Sequence, residues 1–555
     1  MESLDMESHL WLEGRPGGGG RVASADRGYS RAMGRVGVRR CVAITTLALV
    51  GALTCGAPSA AGAYQRTVAV AGRAAGRPLP NNYLGLAFTY QGAARWTGQA
   101  SSPVDPVLVR LIRNLAPRGH PVIRIGGVSA DRSWWPIRGY RKPIGIWDDI
   151  TPAWATALRR LAEATSGRLI LGINLEADRP AIVRVESHEL VARIGPRYID
   201  SLQLGNEPDL YTVVPWYGLL DGHPVPQYLE EGTPVYSRPP SYGPSEYAAE
   251  VARMLPQLPD LPLSGPDASG PSPGAASWMA AFAQFLHPGG RAVTLTAHAY
   301  AAIKCIKDPS SFLYPSVAHL LGLDASRDQL NGLNQYIAVA RGRGDGFRVD
   351  EMGVVSCGGL GGVANTMASA LWVLDTLFSM DAAGVNGVNL HTVKGSNALF
   401  TVKRSGGRWH ATVAPWYYGA LLFTQAAPAG SRLLSVTNAT HADTRVWATL
   451  GQDHAVRVVV INDSTRSSAR VLVRNPPGYG RQAGTIERLR APSAYATSGV
   501  TLGGRSFGRT TTGVAPAPRI ARIRRRGGVY AVTLPAASAA LLTLDPGAAA
   551  RGGGR

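Results

Sequence analysis

Two glutamates carry the reactive chemistry of this chain. Glu207 lies in Ser201-Leu-Gln-Leu-Gly-Asn-Glu-Pro-Asp209 and Glu351 in Phe347-Arg-Val-Asp-Glu-Met-Gly353. Each follows a short apolar run that reads as a buried β-strand, so each stands where a strand gives way to a loop. In a parallel β/α barrel, side chains at the carboxyl ends of the strands converge on one site. Two converging carboxyl groups are the machinery of glycosidic-bond hydrolysis: one protonates the leaving oxygen, the other attacks the anomeric carbon. Glu207 suits the acid, with Asn206 beside it to hydrogen-bond a sugar 2-hydroxyl, and Glu351 suits the nucleophile. Either glutamate alone is explained as well by a helix cap. Only the pairing, with both at strand ends of one repeat, favours catalysis.

From Asn82 onward the chain repeats a short apolar strand, a polar loop and an amphipathic helix. The strand candidates are Leu84–Phe88, Val122–Ile125, Leu169–Leu175, Ser201–Leu204, Leu263–Gly265, Ala292–Ala297, Phe347–Val349 and Val385–Leu390. Helical patterns between them include Asp105–Leu115, Pro152–Glu163, Pro244–Leu255 and Asn365–Phe378. This alternation predicts an α/β fold, a (β/α)8 TIM barrel over residues 81–426. From about Ala427, short β-branched runs separated by Gly, Pro, Asn and Asp predict a C-terminal antiparallel β-sandwich over 427–555. The alternating segment Tyr64–Ala71, within 64–80, reads as a strand joining that domain. Tyr211–Ser245 is long and rich in Pro, Gly and Tyr, and is expected to wall one side of the cleft.

A formal charge of +20 would suit a nucleic-acid binder, but only five of the 57 basic residues are Lys and the Arg are scattered. The one dense run, Arg519–Arg526, reads as a solvated turn, so no nucleic-acid partner is expected. Arg35, Arg39 and Arg40, the apolar run Cys41–Thr54 and the small residues ending at Ala63 follow the order of a secretory signal. Residues 1–63 are therefore expected to be an N-terminal extension and signal peptide. Translation would start at Met33, cleavage would fall near Ala63, and the product would be extracellular. The apolar run is too short for a bilayer span, which needs about 20 residues, so no membrane insertion is expected after cleavage. Removal of the leader leaves Cys305 and Cys357, and their pairing as a disulfide stays open. No Cys/His cluster has metal-ligand spacing, and neither metal nor cofactor is expected.

Three segments resemble glycoside hydrolase family 79, the β-glucuronidases and heparanases of the retaining β/α-barrel clan. They are Val122-Ile-Arg-Ile-Gly-Gly-Val-Ser-Ala-Asp131, Leu204-Gly-Asn-Glu-Pro-Asp-Leu-Tyr211, and Asp350-Glu-Met-Gly-Val-Val-Ser-Cys-Gly-Gly359. The last continues through Ala370-Leu-Trp372 and Gly387-Val-Asn-Leu-His391 to Pro415-Trp-Tyr-Tyr-Gly419. The resemblance implies Glu207 as acid/base, Glu351 as nucleophile and Tyr300 as hydrogen-bond donor to the nucleophile. It implies that the backbone amides of Ser356, Cys357 and Gly358 receive a sugar carboxylate, and that His391 lines the same subsite. A Gly-rich turn makes such an anion site without a cation. Departures lie near the glycone: Val128 stands where Asn is usual, Thr89 where many members have Glu, and Met352-Gly353 where Thr-Asn is more usual. The expected activity is a secreted retaining exo-β-glucuronidase acting on glucuronic-acid-containing glycosides or polysaccharides. The alternatives are a neutral-sugar glucosidase or xylosidase, an endo-acting heparanase-like enzyme, and a catalytically silent glycan-binding protein.

Overall fold

The computed structural model describes residues 64–97, 104–227, 231–270, 274–284, 293–441, 443–479 and 483–546. The leader expected within residues 1–63 lies outside the described residues. Strand β1 is Tyr64–Ala74. The next eight are β2 (Leu84–Thr89), β3 (Val122–Gly126), β4 (Arg168–Ile173), β5 (Ile199–Leu204), β6 (Leu263–Ala268), β7 (Val293–Ile303), β8 (Gly346–Ser356) and β9 (Gly387–His391). Strands β2 to β9 pair in sequence and β9 pairs with β2, closing a barrel in which every ladder is parallel.

The helices between strands start where the sequence marks them. Proline opens Pro106–Leu115, with the Asp105 carboxylate accepting the Val107 N–H at 2.8 Å. Proline also opens Pro152–Thr165, with the Thr151 hydroxyl accepting the Trp154 N–H at 3.2 Å. Proline costs nothing at a first helical position, whose N–H has no partner within the helix, and a side-chain oxygen satisfies a second such donor. Pro106–Leu115 buries Val107, Leu108, Leu111, Ile112 and Leu115, one stripe at helical spacing. Met367–Ala383 runs past the expected Phe378, to Gly384 at φ +95°. It is buried almost all round, which erases the stripe that would have marked its length. Strands β7 and β8 also outrun expectation. Their ladder continues beyond the barrel to the pair Ile303–Ser356, through polar positions that break the apolar run.

The C-terminal domain contains β10 (Arg432–Thr437), β11 (Thr444–Leu450), β12 (Val456–Asn462), β13 (Ala469–Arg474), β14 (Gly484–Arg490), β15 (Val529–Leu534) and β16 (Ser538–Leu544). These strands and β1 lie in one eleven-stranded sheet, in which β1 sits between β10, antiparallel, and β13, parallel. The two layers of the expected sandwich thus belong to one sheet folded over its own apolar face. Val68, Val456, Val458, Val471, Ile486, Tyr530 and Leu542 share one core. The alternate residues Val459, Ile461, Leu489 and Leu541 join the barrel's core instead. Side chains on a strand point alternately to opposite faces, so one set of strands builds its own core and also seals against the barrel. Strand β16 escapes sequence reading because Ala and Leu are weak strand formers. The Arg519–Arg526 run, expected as a solvated turn, contains a short exposed strand, Ala521–Ile523, paired with β14. Tyr211–Ser245 holds a small antiparallel sheet of Tyr217–Leu220, His223–Pro226 and Thr233–Val235.

Candidate active site

A strand buried on both faces reads as an apolar run, and Arg124 interrupts one. Ile123 and Ile125 take one face of β3, and Arg124 points to the other, fully buried. Its Nη1 donates to Glu351 Oε2 at 2.7 Å and its Nε to Gln203 Oε1 at 2.9 Å. Its Nη2 donates to Asn206 Oδ1 at 2.7 Å and also to Asp267. One guanidinium therefore ties strands β3, β5, β6 and β8 together beneath the site.

The loop after β5 places Glu207. Glu207 adopts φ +50°, and its N–H donates to the Asp267 carbonyl at 2.9 Å. The preceding N–H, of Asn206, donates to Asp131 Oδ2 at 2.9 Å, and the Tyr211 hydroxyl donates to the same oxygen at 2.8 Å. The Glu207 side chain is 20% exposed against 6% for Glu351, so one carboxyl faces the opening and the other the floor.

Strand β7 supplies the link between them. His298 and Tyr300 are two residues apart, hence on one face, and the ladder pairs His298 with Glu351 and Tyr300 with Gly353. The Tyr300 hydroxyl donates to Glu351 Oε1 at 2.7 Å. His298 Nδ1 lies 2.7 Å from Glu207 Oε1 and 3.7 Å from Glu351 Oε1, and its Nε2 lies 2.9 Å from Asp267 Oδ1. His391, ending β9, brings Nδ1 to 3.0 Å from Glu351 Oε2.

These contacts set the charges. Burial alone would lower the affinity of His298 for a proton, but Glu351, Asp267 and Glu207 outweigh it and hold the imidazole protonated well above its usual range. Burial alone would raise the Glu351 carboxyl. The charges of His298 and His391, the hydrogen bond from His391 and the charge of Arg124 together hold it well below the ordinary carboxylate range. Asp350 goes the other way: burial and the neighbouring Asp267 charge push it well up, toward a neutral acid. Arg124 and His298 thus face both Glu351 and Asp267, and His391 adds its charge at Glu351.

Among the described residues, Asp267, His298 and Asp350 bring three ligand-type atoms together. Asp267 is already bound by Arg124 and His298, and Asp350 accepts from Gln203. The guanidinium and imidazolium occupy the electrostatic place that a metal ion would take.

Of the residues expected from sequence, Glu207, Glu351, Asn206, Tyr300 and His391 meet in this network. Ser356 joins Tyr300, with Ser269, Gly270 and Phe312, around a cavity of about 110 Å³. Cys357 and Gly358 lie one step beyond, in a turn whose residues 357, 358 and 359 have φ +58°, +79° and +79°. That turn is braced by Asn397, whose Oδ1 accepts the Val355 N–H at 3.2 Å. Thr89 spends its hydroxyl on the Gly92 N–H at 2.9 Å, and Val128 opens a four-residue helix ending at Asp131. Sequence reasoning missed Arg124, His298 and Asp267. His298 had a signal, two residues before Tyr300 on the same strand face. A larger cavity of about 580 Å³ lies at the amino ends of β2 and β3, lined by Leu84, Arg118, Gly119 and Arg457, and neither glutamate lines it.

Residues 446–541 match the glycosyl hydrolase family 79 C-terminal beta domain. No curated protein sequence matches the chain. Among solved structures it is similar to a 4-O-α-L-rhamnosyl-β-D-glucuronidase from Fusarium oxysporum 12S, with TM-score 0.65 and 18% identity over 86% of this chain and 100% of that one. It is also similar to a GH51 arabinofuranosidase from Xanthomonas axonopodis pv. citri, with TM-score 0.58 and 16% identity over 86% of this chain and 99% of that one. At these identities the likeness is one of fold. The chain thus joins a closed parallel barrel to a C-terminal β-domain that matches that of glycosyl hydrolase family 79.

Proposed function

We propose that the chain is a secreted, retaining exo-β-glucuronidase. The observation that carries the mechanism is the shared imidazole of His298. Oε1 of Glu207 and Oε1 of Glu351 lie 2.7 and 3.7 Å from its Nδ1, so they are no farther apart than those distances added together. That bound, on one oxygen of each carboxyl, is compatible with the roughly 5–5.5 Å of a retaining pair.

Glu351, anionic and oriented by Arg124, Tyr300 and His391, attacks the anomeric carbon and forms a glycosyl ester. Glu207 gives its proton to the departing glycosidic oxygen, then as a carboxylate takes one from the water that hydrolyses the ester. His298 donates to one oxygen of Glu207 and leaves the other to carry the catalytic proton. Asn206, its carbonyl held by Arg124, keeps its amide N–H groups for the sugar. The glucuronide reading is supported by the Ser356–Gly358 turn beside Tyr300 and by the activity named for the Fusarium protein.

Incubation with p-nitrophenyl β-glucuronide, β-glucoside and β-xyloside, followed by NMR of the first-formed sugar, tests both parts. Release of β-glucuronic acid as the initial anomer is expected. Turnover of neutral glycosides alone would overturn the substrate, an α-anomer would overturn retention, and glycan retention without turnover would point to a binding protein. Cleavage only within acidic polysaccharide would replace exo by endo action.

A further inference from the structure

Two thiols stand outside this chemistry. Cys305 follows β7 and Cys357 follows β8, just past the last pair of their ladder, Ile303–Ser356. Cys357 is buried and Cys305 half-buried. The Cys357 sulfur accepts the Cys305 N–H and touches the Cys305 thiol, and the Ser356 hydroxyl lies 3.9 Å from it. A disulfide needs α-carbons about 4.4–6.8 Å apart, and strands paired in a ladder lie about 4.7–4.9 Å apart.

We propose that Cys305 and Cys357 close into a disulfide that fastens the Ser356–Gly359 turn to the end of β7. The turn has a reason to need fastening. Cys357 is a non-glycine residue at φ +58°, a strained conformation that persists only where its surroundings enforce it. The oxidant is a small disulfide such as oxidised glutathione. The half-exposed Cys305 thiolate attacks one of its sulfurs, forming a mixed disulfide and releasing one thiol. The Cys357 thiolate then attacks the Cys305 sulfur and releases the second thiol. Two thiol protons leave the protein, one S–S bond forms, and the small disulfide is reduced to two thiols. Burial and the neighbouring Cys305 push the Cys357 thiol up to about 12, so the second step is slow near neutrality and quickens with pH.

The effect on activity rests on the glucuronidase reading, in which this turn receives the sugar carboxylate; the cross-link itself does not. Full-length protein is treated with oxidised glutathione or with dithiothreitol, alkylated and digested for mass spectrometry. After oxidation, a cross-linked peptide pair holding Cys305 and Cys357 is expected, and after reduction two alkylated cysteines. KM for p-nitrophenyl β-glucuronide should rise on the order of three- to tenfold on reduction, with kcat within about twofold. Cys305→Ser should match the reduced enzyme under both conditions. Two freely alkylated thiols after oxidation, or glutathione retained on Cys305, would overturn the cross-link. A cross-link that leaves KM unmoved would overturn its hold on the turn. A cross-link in a protein that turns over only neutral glycosides would support this proposal while removing the glucuronide reading.

Discussion

Glu351 is a buried carboxylate made safe by its neighbours. Arg124, Tyr300 and His391 bring polar atoms to 2.7, 2.7 and 3.0 Å of its two oxygens. A buried charge survives only when paired and hydrogen-bonded, and a nucleophile must stay ionised while the sugar approaches. His391 is one of the groups that hold this carboxyl low, by its charge and its hydrogen bond. Replacing it with Gln lets Glu351 bind a proton at higher pH. The acidic limb of kcat/KM is then expected to move up by on the order of one pH unit. A pH–rate profile measures this, and an unmoved acidic limb would remove His391 from the charge balance. Both glutamates were legible in the sequence because each follows a recognisable strand, whereas Tyr300, beyond the strand read as Ala292–Ala297, came only through the family resemblance. Arg124 was not legible as a site residue, because nothing local says which face of β3 looks inward.

At the scale of elements, the register of β7 against β8 decides the site. The ladder sets Tyr300 beside Gly353, and a Cβ at Gly353 would lie 2.2 Å from Tyr300 Cε1. The absent side chain of Gly353 is thus what admits the ring. Gly353→Ala would push the ring off Glu351 while leaving both glutamates in place. A displacement near 1 Å can cost about 10²-fold in rate, so kcat should fall by roughly 10- to 100-fold with the circular dichroism unchanged. Wild-type kcat in this variant would mean that the Tyr300 hydrogen bond is dispensable. The sequence marked both strands but stopped each too early, because polar positions interrupt the apolar run where the strands begin to serve the site.

At the scale of the whole molecule, the first described strand belongs to the last domain. Strand β1 lies between β10 and β13 and buries Val68 and Val70. Two buried valines contribute roughly 3–6 kcal/mol, against about 5–15 kcal/mol for a typical domain. A chain lacking residues 64–76 leaves β10 and β13 with open edges and is expected in the insoluble fraction. Recovery of a soluble, active product, judged by gel filtration and turnover, would show that the sheet closes without β1. The alternation at Tyr64–Ala71 announced a strand, but the parallel pairing with β13 depends on residues some four hundred positions later.

By itself the sequence determined what short-range pattern can encode: an eightfold strand–helix repeat, a β-rich C-terminal region, two glutamates at strand ends and a glycine turn after the second. Tertiary structure alone decided that one guanidinium and two imidazole rings balance the carboxylates. Arg124 and Glu351 are 227 residues apart, and His298 reaches Glu207, Asp267 and Glu351 from a single strand. Hydrophobic periodicity reports which residues are buried. It does not report which buried charges meet, because that depends on barrel closure and strand register, and these are set only when distant strands pair.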